Sequence, residues 1–204
     1  MEGTHILQEI ERKIKNVDGP NVIWTKGSPG VGKSALAASI VNRLVDQECH
    51  VISFRFDRTQ STVITNALWR TVACSLAHLF PSLRQHLAQG HSSSDIGWLF
   101  KLLIEGPLFA LDDAIPHEEH LVIVIDALDE CGGLKHDASG KDFRSLLHTL
   151  KRWIQVDHLK ELKLVSTSRP EDYISRIFPE FIVKALDYLG SAGILSGEPR
   201  LPTS

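Results

Sequence analysis

Apolar positions along the chain alternate between helical and extended periodicity. Ile6, Leu7, Ile10 and Ile14 recur at helical spacing and predict a lead-in helix that ends before Asp18-Gly19-Pro20. Residues 21–25, Asn-Val-Ile-Trp-Thr, read as a first strand. Leu36, Ile40, Val41 and Leu44 share one face of the next helix, and His50–Phe56, rich in β-branched and aromatic residues, reads as a second strand. Ile64, Leu68, Val72 and Leu76 step by four, and Pro81 is expected to end that helix. A further stripe, Ile96, Leu99, Leu103 and Ile104, runs to an expected break at Gly106-Pro107. Trp69 and Trp98 are expected as packing residues. A polar connection holding Asp112, Asp113, Glu118 and Glu119 leads to Leu121–Ile125, a wholly apolar run suited to a central parallel strand. Asp142 is placed to cap a helix bearing Phe143, Leu146, Leu147, Leu150, Trp153 and Ile154. Leu162–Thr167 reads as a fourth strand, Glu171–Phe178 as a short helix and Phe181–Lys184 as a fifth strand.

Strands alternating with helices imply a mainly parallel α/β sheet with right-handed crossovers. The expected organisation is a lead-in helix over 1–20, a nucleotide-binding domain over 21–185 and a poorly ordered tail over 186–204, whose Gly, Ser and Pro content is that of a loop.

Composition narrows the classes. A chain of 204 residues with 43% hydrophobic content suits one α/β domain. The net charge of −3 and the scattered basic residues give no stripe for nucleic acid. The cluster Glu11-Arg12-Lys13-Ile14-Lys15 mixes signs and reads as a solvated helix face. Cys49, Cys74 and Cys131 have neither CxxC pairing nor zinc spacing, which suits a reducing compartment. His117 and His120, beside Glu118 and Glu119, read as a solvated loop rather than a metal site. The start lacks a signal-peptide pattern, and the longest apolar run is far too short to cross a bilayer. A soluble cytoplasmic chain with no membrane partner is expected.

The chemistry begins at Gly27-Ser28-Pro29-Gly30-Val31-Gly32-Lys33-Ser34, which fits G-x-x-x-x-G-K-[ST] at every fixed position, between a strand and a helix. Glycines there let successive N–H groups point at phosphate oxygens, and the helix start adds its positive dipole end. Lys33 is then expected to reach the β- and γ-phosphates, and the Ser34 hydroxyl to bind Mg²⁺. Asp126 closes the third strand at the carboxyl edge, where parallel sheets bind ligands, and can hold Mg²⁺ opposite Ser34. Asp129 and Glu130 lie just beyond, and either can orient or deprotonate an attacking water. Arg169, in Ser166-Thr167-Ser168-Arg169-Pro170, ends the fourth strand at the same edge. It can sense the γ-phosphate or be tied to a carboxylate, Asp126 or Asp129; a guanidinium fork suits both.

Three blocks, Gly27–Ser34, Leu121–Cys131 and Leu164–Pro170, together resemble the NACHT domain of STAND-class P-loop NTPases. Val22-Ile23-Trp24, Leu103–Leu108 and Ser168-Arg169-Pro170-Glu171 look like the nephrocystin-like N-terminal type common in large fungal NLR-like proteins, and the resemblance covers about residues 5–185. It implies a three-layer P-loop sandwich whose five-stranded sheet has the order 5-1-4-3-2. It also implies a signalling switch that binds ADP at rest, exchanges it for ATP with Mg²⁺, hydrolyses slowly, and self-associates or meets NLR-like partners. Lys33 and Ser34 take the phosphate and Mg²⁺ roles, Asp126 the Mg²⁺ role, Asp129 or Glu130 the catalytic role and Arg169 the sensing role. The family block often has Gly at the place of Ala127, and the histidine that a family winged helix supplies has no candidate, so a truncated or stand-alone module is expected. The residues alone fit ATP and GTP equally; the resemblance implies ATP. Two other readings stay open. One is a small-molecule P-loop kinase, which would not place Leu162–Ser168 beside the first strand. The other is a non-catalytic interaction fragment that keeps only the fold.

Overall fold

Leu121–Asp126 is buried at every position, so this strand must be covered on both faces, and the rest of the fold is arranged around it. The computed structural model describes residues 2–57, 64–84, 94–110, 121–131, 141–155, 162–178 and 182–183. Strands β1 (Val22–Lys26), β2 (His50–Arg55), β3 (Leu121–Asp126) and β4 (Leu162–Ser168) are all parallel. Strand β4 lies between β1 and β3, with Val22 opposite Leu164 and Ile123 opposite Leu164 on its other side. Among the described residues four longer strands run in the order 1-4-3-2. Beyond β1 the two-residue β5 (Ile182–Val183) pairs in parallel with Trp24 and Thr25, which gives the order 5-1-4-3-2 among the described residues.

Alternate residues of each strand feed two separate cores, as period-two geometry requires. On one face Ile23, Val122, Val124 and Val165 meet α1 (Glu2–Lys15) and α2 (Lys33–Asp46), through Ile10, Ile14, Leu36, Ile40 and Leu44. An ion pair from Arg43 to Glu11, 2.6 Å, adds to that helix contact. The opposite face carries the larger core, with α3 (Ile64–Leu79), α4 (Ile96–Phe100), α5 (Gly106–Ala110), α6 (Lys141–Gln155) and α7 (Asp172–Ser175). Trp69, Phe100 and Trp153 cluster there, the two indoles stacked at 6.1 Å. The Asn21 side chain donates to the Trp153 carbonyl at 2.8 Å and ties α6 to the entry of β1.

Several local expectations are corrected. Gly106-Pro107 does not break the helix: Lys101–Glu105 forms a π turn, in which the Gly106 N–H donates to the Lys101 carbonyl, and α5 continues through Pro107. The wider turn accommodates a residue that has no N–H and whose ring would crowd a regular turn. Helix α6 begins at Lys141, so Asp142 lies inside its first turn rather than at the cap. The predicted helix over 171–178 is confined to α7. Trp69 is fully buried, but Trp98 is 43% exposed, because Ile96, Leu99 and Phe100 occupy the core side of short α4. Asp112, Asp113, His117, Glu118, Glu119, His120 and residues 186–204 lie outside the described residues. Among the described residues no helix is long and apolar enough to cross a membrane.

Candidate nucleotide-binding site

The loop between β1 and α2 is shaped by two glycines in the left-handed region, Gly30 at φ 80° and Gly32 at φ 89°. A Cβ at either would meet nothing within 4 Å, so backbone strain rather than crowding demands glycine. Gly32 is the N-cap of α2 and its carbonyl accepts the first helical bond, from the Leu36 N–H at 2.8 Å. The first turn of this 14-residue helix contains no acidic side chain, so no carboxylate of the helix itself offsets its positive dipole end. At its other end the loop is tied to the sheet: the Gly27 N–H donates to the Ser168 carbonyl at 3.2 Å.

Lys33 folds back over the loop. Its ammonium donates to the carbonyls of Gly27 at 2.9 Å and Ser28 at 2.8 Å. Burial lowers its pKa from the ordinary 10.5; Arg169 adds to the lowering, while Asp129, Asp126 and Glu130 oppose it. One cation therefore feels three acids and a second cation across a single cleft.

That cleft has a volume of about 310 Å³. The loop contributes Pro29, Gly30 and Gly32; α2 contributes Lys33, Ser34 and Ala35; the far wall is Asp126, Ala127, Asp129, Glu130 and Arg169. Of the residues singled out from the sequence, Gly27, Ser28 and Val31 do not line it. Gly27 is buried beneath the loop, Ser28 supplies a carbonyl to Lys33, and Val31 packs on the α1–α2 core.

Asp126 is the last residue of β3. Its Oδ1 accepts the Thr167 hydroxyl at 2.6 Å, and its Oδ2 lies 3.6 Å from Arg55 Nε. Thr167 Oγ1 in turn accepts the Ala127 N–H at 3.2 Å. Ala127 itself is left-handed, at φ 57° and ψ 46°, and opens a 3-10 turn over Leu128–Glu130. This is the position at which the family block often has Gly. Asp129 Oδ1 accepts the main-chain N–H of Arg169 at 3.0 Å, and its Oδ2 pairs with Arg169 Nε at 3.2 Å. Of the two carboxylates open to Arg169 in the sequence, it engages Asp129.

Thr167 and Arg55 are partners of Asp126 that the sequence did not single out. The signal for Thr167 was present in the block Ser166–Pro170. Arg55 becomes visible only through register, which sets it opposite Asp126 across β2 and β3. Asp126 and Ser34 present hard oxygen donors suited to Mg²⁺. Among the described residues no group of three or more His, Cys, Asp or Glu can hold a metal. Ser34 and Asp126 both line the cleft, and oxygen donors of this kind would suit a Mg²⁺ that takes its other ligands from phosphate and water.

Residues 3–169 match the sequence model of the family described as Nephrocystin 3, N-terminal. No curated protein is recognisably similar. Similar solved structures include the Walker-type ATPase PABY2304 of Pyrococcus abyssi, at TM-score 0.49 and 15% identity over 86% of this chain and 47% of that one. AMPPCP-bound DnaA from Aquifex aeolicus gives TM-score 0.45 and 14% identity over 92% and 47%. C. elegans PCH-2 gives 0.42 and 14% over 90% and 41%. The chain spans less than half the length of each of these structures.

Proposed function

Because the chain belongs to the nephrocystin 3 N-terminal family, and its site is built as described, we propose that it is a Mg²⁺-dependent ATP-binding module. In this reading it hydrolyses ATP slowly and works as an ADP/ATP switch in a cytoplasmic NACHT-type, NLR-like signalling protein, acting through self-association or protein partners. The observation that carries it is the single cleft in which Lys33, Ser34 and the unneutralised start of α2 face Asp126, Glu130 and Arg169. Phosphate oxygens would be held by the loop N–H groups and Lys33. Ser34 and Asp126 would hold Mg²⁺, which supplies charge neutralisation on the phosphates. Glu130 orients or deprotonates a water, and Arg169 contacts the γ-phosphate. The position of β4 beside β1 speaks against the kinase alternative.

A second reading is a nucleotide-binding switch without its own hydrolytic step. It is favoured by one fact: Asp129, one of the two acids considered for the catalytic role, already accepts from Arg169 through both of its oxygens.

Single-turnover hydrolysis of prebound ATP separates the two. Asp126→Ala is expected to weaken Mg²⁺-ATP binding. Glu130→Gln is expected to keep ATP bound and slow cleavage by roughly 10²–10⁴-fold, the range of general-base catalysis. Wild type that binds ATP without cleaving it would leave the second reading, whereas unchanged cleavage in both Glu130→Gln and Asp129→Asn would exclude either acid as the catalytic group.

A further inference from the structure

Asp129 and Arg169 are joined more closely than a surface ion pair requires. The two oxygens of one carboxylate are shared between two donors of one residue, the main-chain N–H and the guanidinium Nε of Arg169. The acid is 3% exposed and the arginine side chain 33% exposed. The carboxylate is therefore nearly buried at the cleft wall, while the guanidinium paired with it is partly open to solvent. A group that must exchange a proton with water in the cleft is poorly served by that burial; a group that must aim its neighbour is well served.

The backbone on both sides of the pair is also fixed. Trp24 Nε1 donates to the Ser168 hydroxyl at 2.8 Å, and that hydroxyl donates to the Arg169 carbonyl at 2.8 Å. The Glu171 N–H donates to the same carbonyl at 2.9 Å. On the other side Asp129 sits in the 3-10 turn closed by the Glu130 N–H to the Ala127 carbonyl, 2.8 Å, and by the Cys131 N–H to the Leu128 carbonyl, 3.2 Å. With both main chains held, the remaining freedom is in the long Arg169 side chain, and Asp129 restrains it at Nε. A guanidinium has five N–H donors. One contact at Nε leaves donor capacity on the same group for an anion in the cleft that Arg169 lines.

We infer that Asp129 is a positioning residue for Arg169 rather than the catalytic acid: it holds the guanidinium toward the cleft so that a nucleoside triphosphate is told from a diphosphate. This rests on the nucleotide reading of the cleft. It assigns the discrimination to a pair, so that the loss of either member has the same consequence.

Calorimetric titrations with Mg²⁺-ADP and with a non-hydrolysable ATP analogue test it, in wild type, Arg169→Gln, Asp129→Asn and the double variant. Asn keeps an oxygen for the Arg169 N–H while removing the charge. Arg169→Gln is expected to lower analogue affinity by about 10- to 100-fold, the range of a hydrogen bond to a charged group, with ADP affinity close to wild type. Asp129→Asn should reduce the same analogue-to-ADP ratio, and the double variant should lose no more than Arg169→Gln alone. Should Asp129→Asn fail to fold, Asp129→Glu, which keeps the charge but displaces it, is expected to keep ADP affinity and lose part of the ratio. A wild-type ratio in the Asp129 variant that folds, or additive losses in the double variant, overturns the role. Wild type that binds neither nucleotide overturns the nucleotide reading and this role with it, whereas an unchanged ratio beside intact binding overturns the role alone.

Discussion

Ala127 holds a left-handed backbone with a Cβ attached, at the hinge between the Mg²⁺-suited Asp126 and the turn bearing Asp129. Such a conformation costs an L-residue about 1–2 kcal/mol, and Gly returns about 0.5–1 of that as lost chain entropy. Ala127→Gly is therefore expected to stabilise the fold by about 0.5–1 kcal/mol, seen as a raised urea midpoint at unchanged m-value; a lowered midpoint would show that the methyl matters more than the strain. At this scale the sequence is most explicit where backbone geometry forces a residue type, as at Gly30 and Gly32. It is least explicit where a long side chain chooses between partners. Arg169 had two carboxylates within plausible reach, and only the register of β3 against β4, with the 3-10 turn after Ala127, decides for Asp129.

Elements carry a second kind of information. Lys163, on β4 at the sheet end remote from the cleft, is 1% exposed and donates to the carbonyls of Val17, Gly19 and Pro20 at 3.5, 3.2 and 3.4 Å. It thereby clamps the α1–β1 turn onto the sheet. Its pKa is lowered from 10.5, chiefly by burial, against the opposing pull of Asp18. Between the lowered value and 10.5 the unfolded chain binds more protons than the folded one, so this group makes stability rise with pH across that window. Urea unfolding at stepped alkaline pH should show that rise in wild type and a flatter profile in Lys163→Met; parallel profiles would contradict it. An apolar strand containing a lysine gives no hint of such a clamp, because its acceptors come from a turn more than 140 residues earlier in the chain. The helix through Gly106-Pro107 was hidden for a similar reason. Breaker residues mark a regular helix as impossible, and a π turn is not regular.

For the whole molecule, the layers and the four full strands follow from alternating periods and from the wholly apolar third strand, which must be central. Their order is not a local property. The placement of β4 between β1 and β3 was expected from the resemblance and has a consequence for the site: it brings Thr167 and Arg169 to the same edge as Lys33 and Asp126. The fifth strand, expected over Phe181–Lys184, is described at Ile182–Val183, where it pairs with Trp24 and Thr25. The central claim is that this edge binds a nucleotide through the loop before α2. Lys33 sits on that loop and, apart from its two carbonyl contacts, adds little to the packed core, so Lys33→Ala is expected to fold normally. Titration of Mg²⁺-ATP into wild type and Lys33→Ala, with thermal melts of both, tests the claim most directly. The account predicts saturable binding by wild type and loss of most of it in the folded variant; equal binding by the two would contradict it.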